Sequence, residues 1–412
     1  GNGNLTGHNL HSTGITTSSS VIVGGGVTIS ESGIEASGIG ITVANINGGQ
    51  IGGRRNIIIN GAMMVAQRAT SSTTNGSYAA DRFKLNYSGT DEAPTYAQVD
   101  VASGTTPYTL GFRKAFKLTN GNQTGGAGAS DLIKINYLAE AQDIANSGWN
   151  YLSDTSYITI QFWVKSSVAQ NFFGRLTSND GTAQSYVFET GSLTADTWTK
   201  IIKTVPGNSS LTFNNDNGNG LLFEFIPFRG TDTTGTRPLN AWANFDGSTR
   251  CPDMTSTWYT TNDSTIELTG VQLEVGSQAT PFEHRSYGEE FKLCQRYYQE
   301  VLFNEQNTGG GILRASNSNN FQQPASIQQF GYMRAAASGA VIGSNSLVYC
   351  RRLNGSSSDI TASVSHAGGT THGFINIRLT GTSSGTFTNE EPYVWWCRES
   401  DGQIIFSQDA EL

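Results

Sequence analysis

Aromatic side chains are concentrated in one turn-rich stretch, LNAWANFDGSTRCPDMTSTWYTTND (residues 239–263). It contains Trp242, Phe245, Trp258 and Tyr259 among residues that favour turns. Tyrosine and tryptophan rings offer a large, flat contact area at low entropic cost, and neighbouring polar groups can bind hydroxyls. These residue types favour a sugar-binding surface, with Trp242, Trp258 and Tyr259 as candidates. The alternative is that the rings fold back onto their own domain or onto a neighbouring chain.

A second aromatic stretch, YVWWCRE (393–399), has the pattern of a strand. Adjacent residues of a strand point to opposite faces, so Trp395 and Trp396 are expected on different sides of the sheet. Trp396 would share its face with Arg398, a pair that can bind an acidic sugar. Contact between chains is an equally good explanation of the same pair.

Residues suited to catalysis are few and scattered. The chain has five histidines and no metalloprotease, nucleophile-elbow or P-loop motif. A set of His366, His372 and Asp359 lies in glycine-rich sequence, where such groupings arise by chance. Glu224 and Glu267 lie in predicted strands and are interpreted as acids that face solvent, although a pair of carboxylates could cleave glycosides. We therefore expect no catalytic residue.

No cofactor or metal is expected from the sequence. The turns NNDNGNG (214–220) and NFDGS (244–248) carry oxygen ligands suited to calcium, but neither has EF-hand spacing. The cysteines lie too far apart for a zinc motif, and we interpret them as reduced, mostly buried thiols. They are Cys251, Cys294, Cys350 and Cys397.

The composition favours turn-rich β-structure. The 412 residues are 36% apolar and 14% charged, with a net charge of −8. No basic cluster suggests a nucleic-acid partner, and no stretch approaches the about 20 apolar residues of a membrane span. The first residues lack the charged-then-apolar pattern of a secretory signal.

Four segments follow from the distribution of residue types. Residues 1–53 alternate isoleucine and valine with small polar residues, which predicts a thin shaft of several chains, or else a flexible linker. Residues 54–285 contain many short strands and predict a two-sheet sandwich, most simply a jelly roll. Residues 286–301 predict a connecting helix. Residues 302–412 predict a second β-rich domain, with strands at SLVYCRR, GFINIRL, YVWWCRE and QIIFSQ.

The predicted strands of the sandwich alternate between apolar and polar residues. In YITIQFWV the residues Ile158, Ile160, Phe162 and Val164 share one face. In TIELTGVQLEV the alternation changes phase at Gly270, which predicts a β-bulge.

The helix signal begins at Ser286, where Glu289 three residues later completes a capping box. Phe291, Cys294 and Tyr298 recur at helical spacing. We interpret this apolar face as a contact between three copies of the chain.

Three stretches resemble a family of bacteriophage tail-fibre proteins. They are NIIINGAMMVAQR (56–68), YAADRF (78–83) and GVQLEVGSQATPFEHRSYGEEFKLCQRYY (270–298). In that family a similar opening and closing bracket a jelly-roll module like those that bind carbohydrate. FGYMRAA (330–336) and the terminal DAEL (409–412) also resemble the ends of such fibres.

The bracketing motifs themselves have the character of structural residues. Phe282 follows a proline that fixes the turn, so we expect it to fill the sandwich core, with Glu283 and Arg285 pairing with neighbouring loops.

The resemblance implies a homotrimeric fibre located in the virion tail. Its N-terminal segment would attach to other tail, baseplate or adaptor proteins. Its β-rich part would bind host surface polysaccharide or lipopolysaccharide, as a receptor-binding protein without chemical turnover. The alternatives are a polysaccharide depolymerase carried on the fibre and a purely structural or adaptor fibre.

Overall fold

The computed structural model describes residues 54–300 and 409–411 with their side chains, and the backbone of the strands among residues 20–36 and 301–408. The chain divides into two compact units, Gly1–Ile46 and Asn47–Leu412. In the first unit three strands pair antiparallel in chain order: β1 (Ser20–Val23), β2 (Val27–Ser30) and β3 (Gly33–Ala36). The multi-chain shaft over residues 1–53 stays a prediction.

The second unit begins with the strands of a β-sandwich. In chain order these are β4 (Ser71–Ser72), β5 (Tyr78–Ala80), β6 (Phe83–Ser88), β7 (Thr95–Asp100), β8 (Lys114–Thr119), β9 (Leu132–Glu140), β10 (Tyr157–Ser166), β11 (Asn171–Ser178), β12 (Gln184–Ser192), β13 (Thr199–Pro206), β14 (Asn219–Arg229), β15 (Trp242–Asn244) and β16 (Thr265–Val275). Short helical turns connect some of them: α1 (Thr106–Thr109), α2 (Ala141–Ala145), a 3-10 turn (Thr231–Thr233) and α3 (Thr257–Thr260).

These strands form two antiparallel sheets. One has six strands in the order β13-β10-β16-β8-β7-β4, and the other has seven in the order β15-β12-β11-β14-β9-β6-β5. The chain crosses repeatedly from one sheet to the other. The predicted two-sheet sandwich is confirmed.

The core lies between the sheets, and alternate residues of each strand point into it. On β10 the residues Ile158, Ile160, Phe162 and Val164 are all fully buried in it, as the sequence predicted. Phe162 packs against aromatic rings of the opposite sheet, with Phe223 at 5.7 Å between ring centroids. Each fully buried large side chain of this kind contributes about 1.5–3 kcal/mol.

The phase change at Gly270 is a β-bulge, as predicted. The register of β10 against β16 shifts between Gln161 and Trp163, which pair with Gln272 and Thr269. Gly270 has a φ of +65°, a conformation that favours glycine. A Cβ atom there would lie 2.7 Å from the Phe112 ring. The bulge lets β16 keep its apolar side chains in the core on both sides of residue 270.

The main helix is α4 (Tyr287–Gln295), and its capping box between Ser286 and Glu289 is confirmed. The prediction that the helix extends to residue 301 is wrong. The chain turns at Arg296 and enters β17 (Tyr298–Phe303), whose first residue pairs with Asp409. Strand pairing with a distant segment therefore overrides the helical spacing of the apolar residues.

The rest of the described backbone is also β-structure. Its strands are β18 (Ile312–Arg314), β19 (Asn320–Phe321), β20 (Ile327–Gln328), β21 (Ser338–Ile342), β22 (Leu347–Arg352), β23 (Ile360–His366), β24 (Phe374–Ile375), β25 (Ile377–Gly381), β26 (Pro392–Trp396) and β27 (Ile404–Asp409). They form sheets β17-β27-β21, β18-β26-β22-β23-β25-β19 and β20-β24. These strands agree with the β-rich character predicted for residues 302–412, whereas the division into four domains stays a prediction.

Within the residues that the structure describes, no helix combines the length and the apolar character needed to cross a membrane.

Candidate functional site

Two of the aromatic candidates for sugar binding lie inside the sandwich. Trp258 is 0% exposed, and its Nε1 donates to the carbonyl oxygen of Thr265 at 3.1 Å. Tyr259 stacks on Phe228 with ring centroids 4.2 Å apart. Neither ring presents a face to solvent, so the alternative in which these aromatics fold back onto the domain is the observed one.

The other aromatic candidates are placed differently. Trp242 is half-buried at the edge of the seven-stranded sheet, where its ring packs against Tyr186 and its Nε1 donates to the carbonyl oxygen of Pro206 at 2.7 Å. Trp396 ends β26, but its side chain and the whole of Arg398 lie outside the described residues. The candidates with described side chains, Trp242, Trp258 and Tyr259, do not form one exposed site.

The residues interpreted as contacts between chains are largely used within the chain. Cys294 is buried in a small cluster with Ile59 and Val65, from the start of the sandwich. The Tyr298 ring is buried and lies under the guanidinium of Arg68, 3.8 Å from its centroid. Phe291 is half-buried and stacks on Tyr287, which is exposed. Of these three residues, Phe291 offers surface to another chain, because contacts within the chain cover Cys294 and Tyr298.

Both described cysteines are buried free thiols, as predicted. Burial raises the pKa of Cys251 to about 12 and that of Cys294 above its ordinary value. The other two cysteines have side chains outside the described residues.

The ATPFEHR motif, which follows the last strand of the sandwich, binds the segment that precedes its first strand. The Glu283 carboxylate accepts from the backbone N–H groups of Arg55 and Asn56, the second at 2.7 Å. Arg285 donates to the backbone oxygens of Asn56 and Ile58. The predicted pairing of Glu283 and Arg285 with neighbouring segments is confirmed, and its role is structural.

Phe282 is not in the main core, and the prediction that it fills the core is wrong. It is half-buried on the outer face of the six-stranded sheet, where it packs edge-on against Phe112 at 4.9 Å. The reason is that the segment after β16 folds back over the outside of the sheet instead of between the sheets.

The remaining motif residues meet at a second structural position, which we call the motif junction: Arg68, Arg82, Tyr297, Tyr298 and Glu411. Arg82 binds the Glu411 carboxylate and lies over the Tyr297 ring at 3.4 Å. Burial opposes the charge on Arg82, but Glu411 outweighs it and raises the pKa of Arg82. The QR, DRF, CQRYY and DAEL segments are therefore brought together by packing.

The strongest candidate for a binding surface is the outer face of the seven-stranded sheet. Four residues lie directly opposite one another there on consecutive strands: Lys84 on β6, Asn136 on β9, Glu224 on β14 and Arg175 on β11. The alternation of each strand puts them on the face away from the core. Sequence reasoning missed this row because it gives no strand order.

Glu224 is the centre of a buried ion cluster, which we call the outer-face cluster: Glu224, Lys134, Arg175 and Arg229. The Glu224 carboxylate is 0% exposed in its side chain, binds Arg175, and lies 2.8 Å from Lys134 Nζ and 3.7 Å from Arg229 Nη2. The interpretation of Glu224 as an acid facing solvent is wrong, because the three cations hold it inside.

The charged groups of the outer-face cluster shift one another's pKa values. Burial alone would raise the pKa of Glu224, but Arg175, Lys134 and Arg229 outweigh it and lower that pKa to about 2. Burial lowers the pKa of Arg229 to about 10, with Arg175 acting in the same direction and Glu224 against it. Burial likewise lowers the pKa of Lys134. Glu224 and Arg229 are therefore both charged at neutral pH.

Glu224 and Glu267 do not form a pair of catalytic carboxylates. Glu224 lies on the outer face of the seven-stranded sheet, whereas Glu267 lies on the outer face of the six-stranded sheet and pairs with Lys165 at 3.0 Å. Sandwich sheets are separated by about 10 Å of core, so carboxylates on opposite outer faces exceed the separation that glycoside cleavage requires. Among the described residues, no group of three or more acidic, histidine or cysteine side chains is placed to hold a metal ion.

A part of this face that is open to solvent lies on β6 and β9 and includes Lys134 of the outer-face cluster. Lys84, Asn86 and Lys134 are half-buried, and Asn136 Nδ2 donates to Asn86 Oδ1 at 2.9 Å. The Asn136 Oδ1 atom is buried and has no hydrogen-bond partner among the described residues. Amide and ammonium groups arranged in this way suit a ligand rich in hydroxyl groups.

The two-sheet antiparallel sandwich is the class of fold that this chain shows. No family model matches the sequence. No curated protein matches it either.

Solved structures show distant similarity. The enzymatically active domain of tailspike protein 4 from bacteriophage CBA120 is 11% identical, with a TM-score of 0.29, over 53% of this chain and 21% of that one. The N-terminal cellulose-binding domain of Cellulomonas fimi β-1,4-glucanase C is 9% identical, with a TM-score of 0.24, over 52% of this chain and 99% of that one.

The family 11 carbohydrate-binding module of Clostridium thermocellum, in complex with a mixed-linked tetrasaccharide, is 10% identical. Its TM-score is 0.24, over 52% of this chain and 100% of that one. At TM-scores this low, nothing about this chain follows from these similarities.

Proposed function

We propose that this chain is a glycan-binding adhesion protein of the tail-fibre type, acting as a homotrimer in a virion tail without chemical turnover. The observation that carries the binding function is the polar row across the outer face of the seven-stranded sheet, where Asn86, Asn136 and Lys134 offer hydrogen-bonding groups beside buried charges. The motifs that resemble tail fibres support the wider assignment, and the jelly-roll connectivity belongs to the same proposal.

Binding at this face would be weak for each copy, since the surface is shallow and polar. Several copies on one particle would raise the overall strength through effective concentration. Host surface polysaccharide or lipopolysaccharide is the partner of this class, and the N-terminal segment is the part left to attach to other tail proteins. Sedimentation of the full chain tests the assembly: three copies are expected, and a single copy would remove the trimer from the proposal.

The binding function is tested by passing the full chain over a panel of immobilised bacterial capsular polysaccharides and lipopolysaccharides. We expect retention on at least one of them, without new reducing ends in the polymer. Shortened polymer would show the depolymerase alternative, and no retention on any of them would favour a structural or adaptor fibre.

A pair of variants locates the surface. Asn86→Leu places an apolar side chain on the open part of the seven-stranded sheet and is expected to weaken retention at least fivefold. Lys117→Leu also introduces a leucine, at a half-buried position on the outer face of the six-stranded sheet, and serves as the control although it removes a charge as well. Equal retention by both variants would contradict the assignment of the site.

A further inference from the structure

Positive charge is in excess within the outer-face cluster. The outer-face cluster has one carboxylate, Glu224, in contact with Lys134, Arg175 and Arg229. Lys84 adds a further cation on β6, in the same row as Asn136 and Glu224. These five side chains carry four positive charges and one negative charge, in a chain whose net charge is −8. Glu189 on β12, opposite Phe173, is a further acid on the same face and accepts from Asn171 Nδ2 at 3.0 Å.

The cations of the cluster also have unused hydrogen-bond donors. Arg175 Nε and Nη1, and Arg229 Nε and Nη2, are buried without a hydrogen-bond partner among the described residues. Both side chains are almost completely buried. Unpaired donors and surplus charge inside a protein cost free energy, so stability alone does not account for this arrangement. Departures of this kind are expected where a site serves binding.

The two sides of the cluster have different neighbours. The ring of Phe245 lies 5.2 Å from the Arg175 guanidinium and covers it from the side of β15, with Arg250 on the same ring at 5.5 Å. On the side of β6 and β9, Lys84, Asn86 and Lys134 are half-buried and open to solvent. A ligand would contact these open groups, while the buried arginines add their field in a region that water screens poorly.

We propose that the ligand of this face is an anionic glycan, whose carboxylate or sulfate groups bind at Lys84 and Lys134. The asparagines Asn86 and Asn136 would bind neighbouring hydroxyl groups. This inference rests on the proposed glycan-binding function and deepens it by naming the chemical class of the glycan. A neutral glycan would leave the surplus charge of the cluster uncompensated.

The test compares matched polymers on the full chain. Polygalacturonate is paired with its carboxyl-reduced form, and dextran sulfate with dextran, and dissociation constants are measured by calorimetry at fixed salt. We expect at least one anionic polymer to bind tenfold or more tightly than its neutral partner, and the two pairs distinguish carboxylate from sulfate.

Lysine variants separate a specific site from general attraction between charges. Lys84→Gln, which removes no partner of Glu224, and Lys134→Gln are each expected to weaken anionic binding about fivefold or more. Lys200→Gln, on an exposed position of β13 in the other sheet, should leave it unchanged. Equal weakening by all three variants would overturn the inference.

The outcomes of the polymer test also separate the inference from the proposed function. Equal binding of charged and neutral polymers would overturn the preference for anions and leave glycan binding standing. Binding of neither kind here, with no retention on the polysaccharide panel, would overturn both.

Discussion

Replacing Glu224 by glutamine is expected to lower the free energy of unfolding by about 3–5 kcal/mol, the usual cost of removing one partner from a buried ion pair. The substitution keeps the volume of the side chain but leaves Lys134, Arg175 and Arg229 without their common carboxylate. Urea unfolding followed by tryptophan fluorescence measures the change.

A matched control is available on the other sheet. Glu267→Gln breaks the more exposed pair with Lys165, and such pairs contribute less than about 1 kcal/mol. Similar small losses for Glu224→Gln and Glu267→Gln would contradict the view that the outer-face cluster is a buried, mutually dependent group.

The same substitution should change the dependence of stability on pH. The pKa of Glu224 is lowered from 4.5 to about 2, so its carboxylate stabilises the folded chain above pH 4.5 and this contribution is lost as the pH falls toward 2. The parent chain is therefore expected to lose stability over this interval more steeply than the glutamine variant, which has no group to protonate at this position.

The second large effect is expected at the motif junction. Arg82→Met should cost about 3–5 kcal/mol, because the Glu411 carboxylate is almost fully buried and loses its closest cation. The change also removes the donor to the carbonyl oxygen of Leu138 and the cation over the Tyr297 ring. Thermal unfolding measures the loss.

Limited proteolysis provides a second readout of the same substitution. Because Arg82 holds Glu411, the segment around β27 is expected to become a cleavage site in Arg82→Met. Lys114→Gln, which breaks the exposed pair with Asp100, is the control and should leave both readouts unchanged. An Arg82→Met chain with parental stability and an uncleaved C-terminal segment would contradict the role of the junction.

Features that depend on neighbouring residues were predictable from the sequence. The buried face of β10, the bulge at Gly270 and the Ser286 cap each follow from a pattern a few residues long. The types of nearby residues decide these features, so no knowledge of the sheet order is needed.

Features that depend on distant pairing were not predictable. Arg175 and Glu224 are 49 residues apart, and Arg82 and Glu411 are 329 apart. Their meeting is set by strand order and by the return of the chain end, which periodicity does not contain. The same reason explains Tyr298, whose helical spacing was outweighed by pairing with Asp409.

The burial of Trp258 and Tyr259 was also not predictable from the sequence. A turn-rich composition indicates a loop but not the direction in which its aromatic rings point. The outward positions of the strands were a usable signal: Lys84, Lys134, Arg175 and Glu224 each interrupt a strand of buried apolar residues. Charged residues at such positions indicate a face that is not covered by core.

The central claim is that the outer face of the seven-stranded sheet, at β6 and β9, binds the glycan. The direct measurement is the rate at which an acylating reagent modifies each lysine, with and without the polysaccharide that the full chain retains most strongly. Bound polysaccharide is expected to slow modification of Lys84 and Lys134 at least fivefold while Lys117 and Lys200 react as before. Unchanged rates at Lys84 and Lys134 in the saturated complex would contradict the claim.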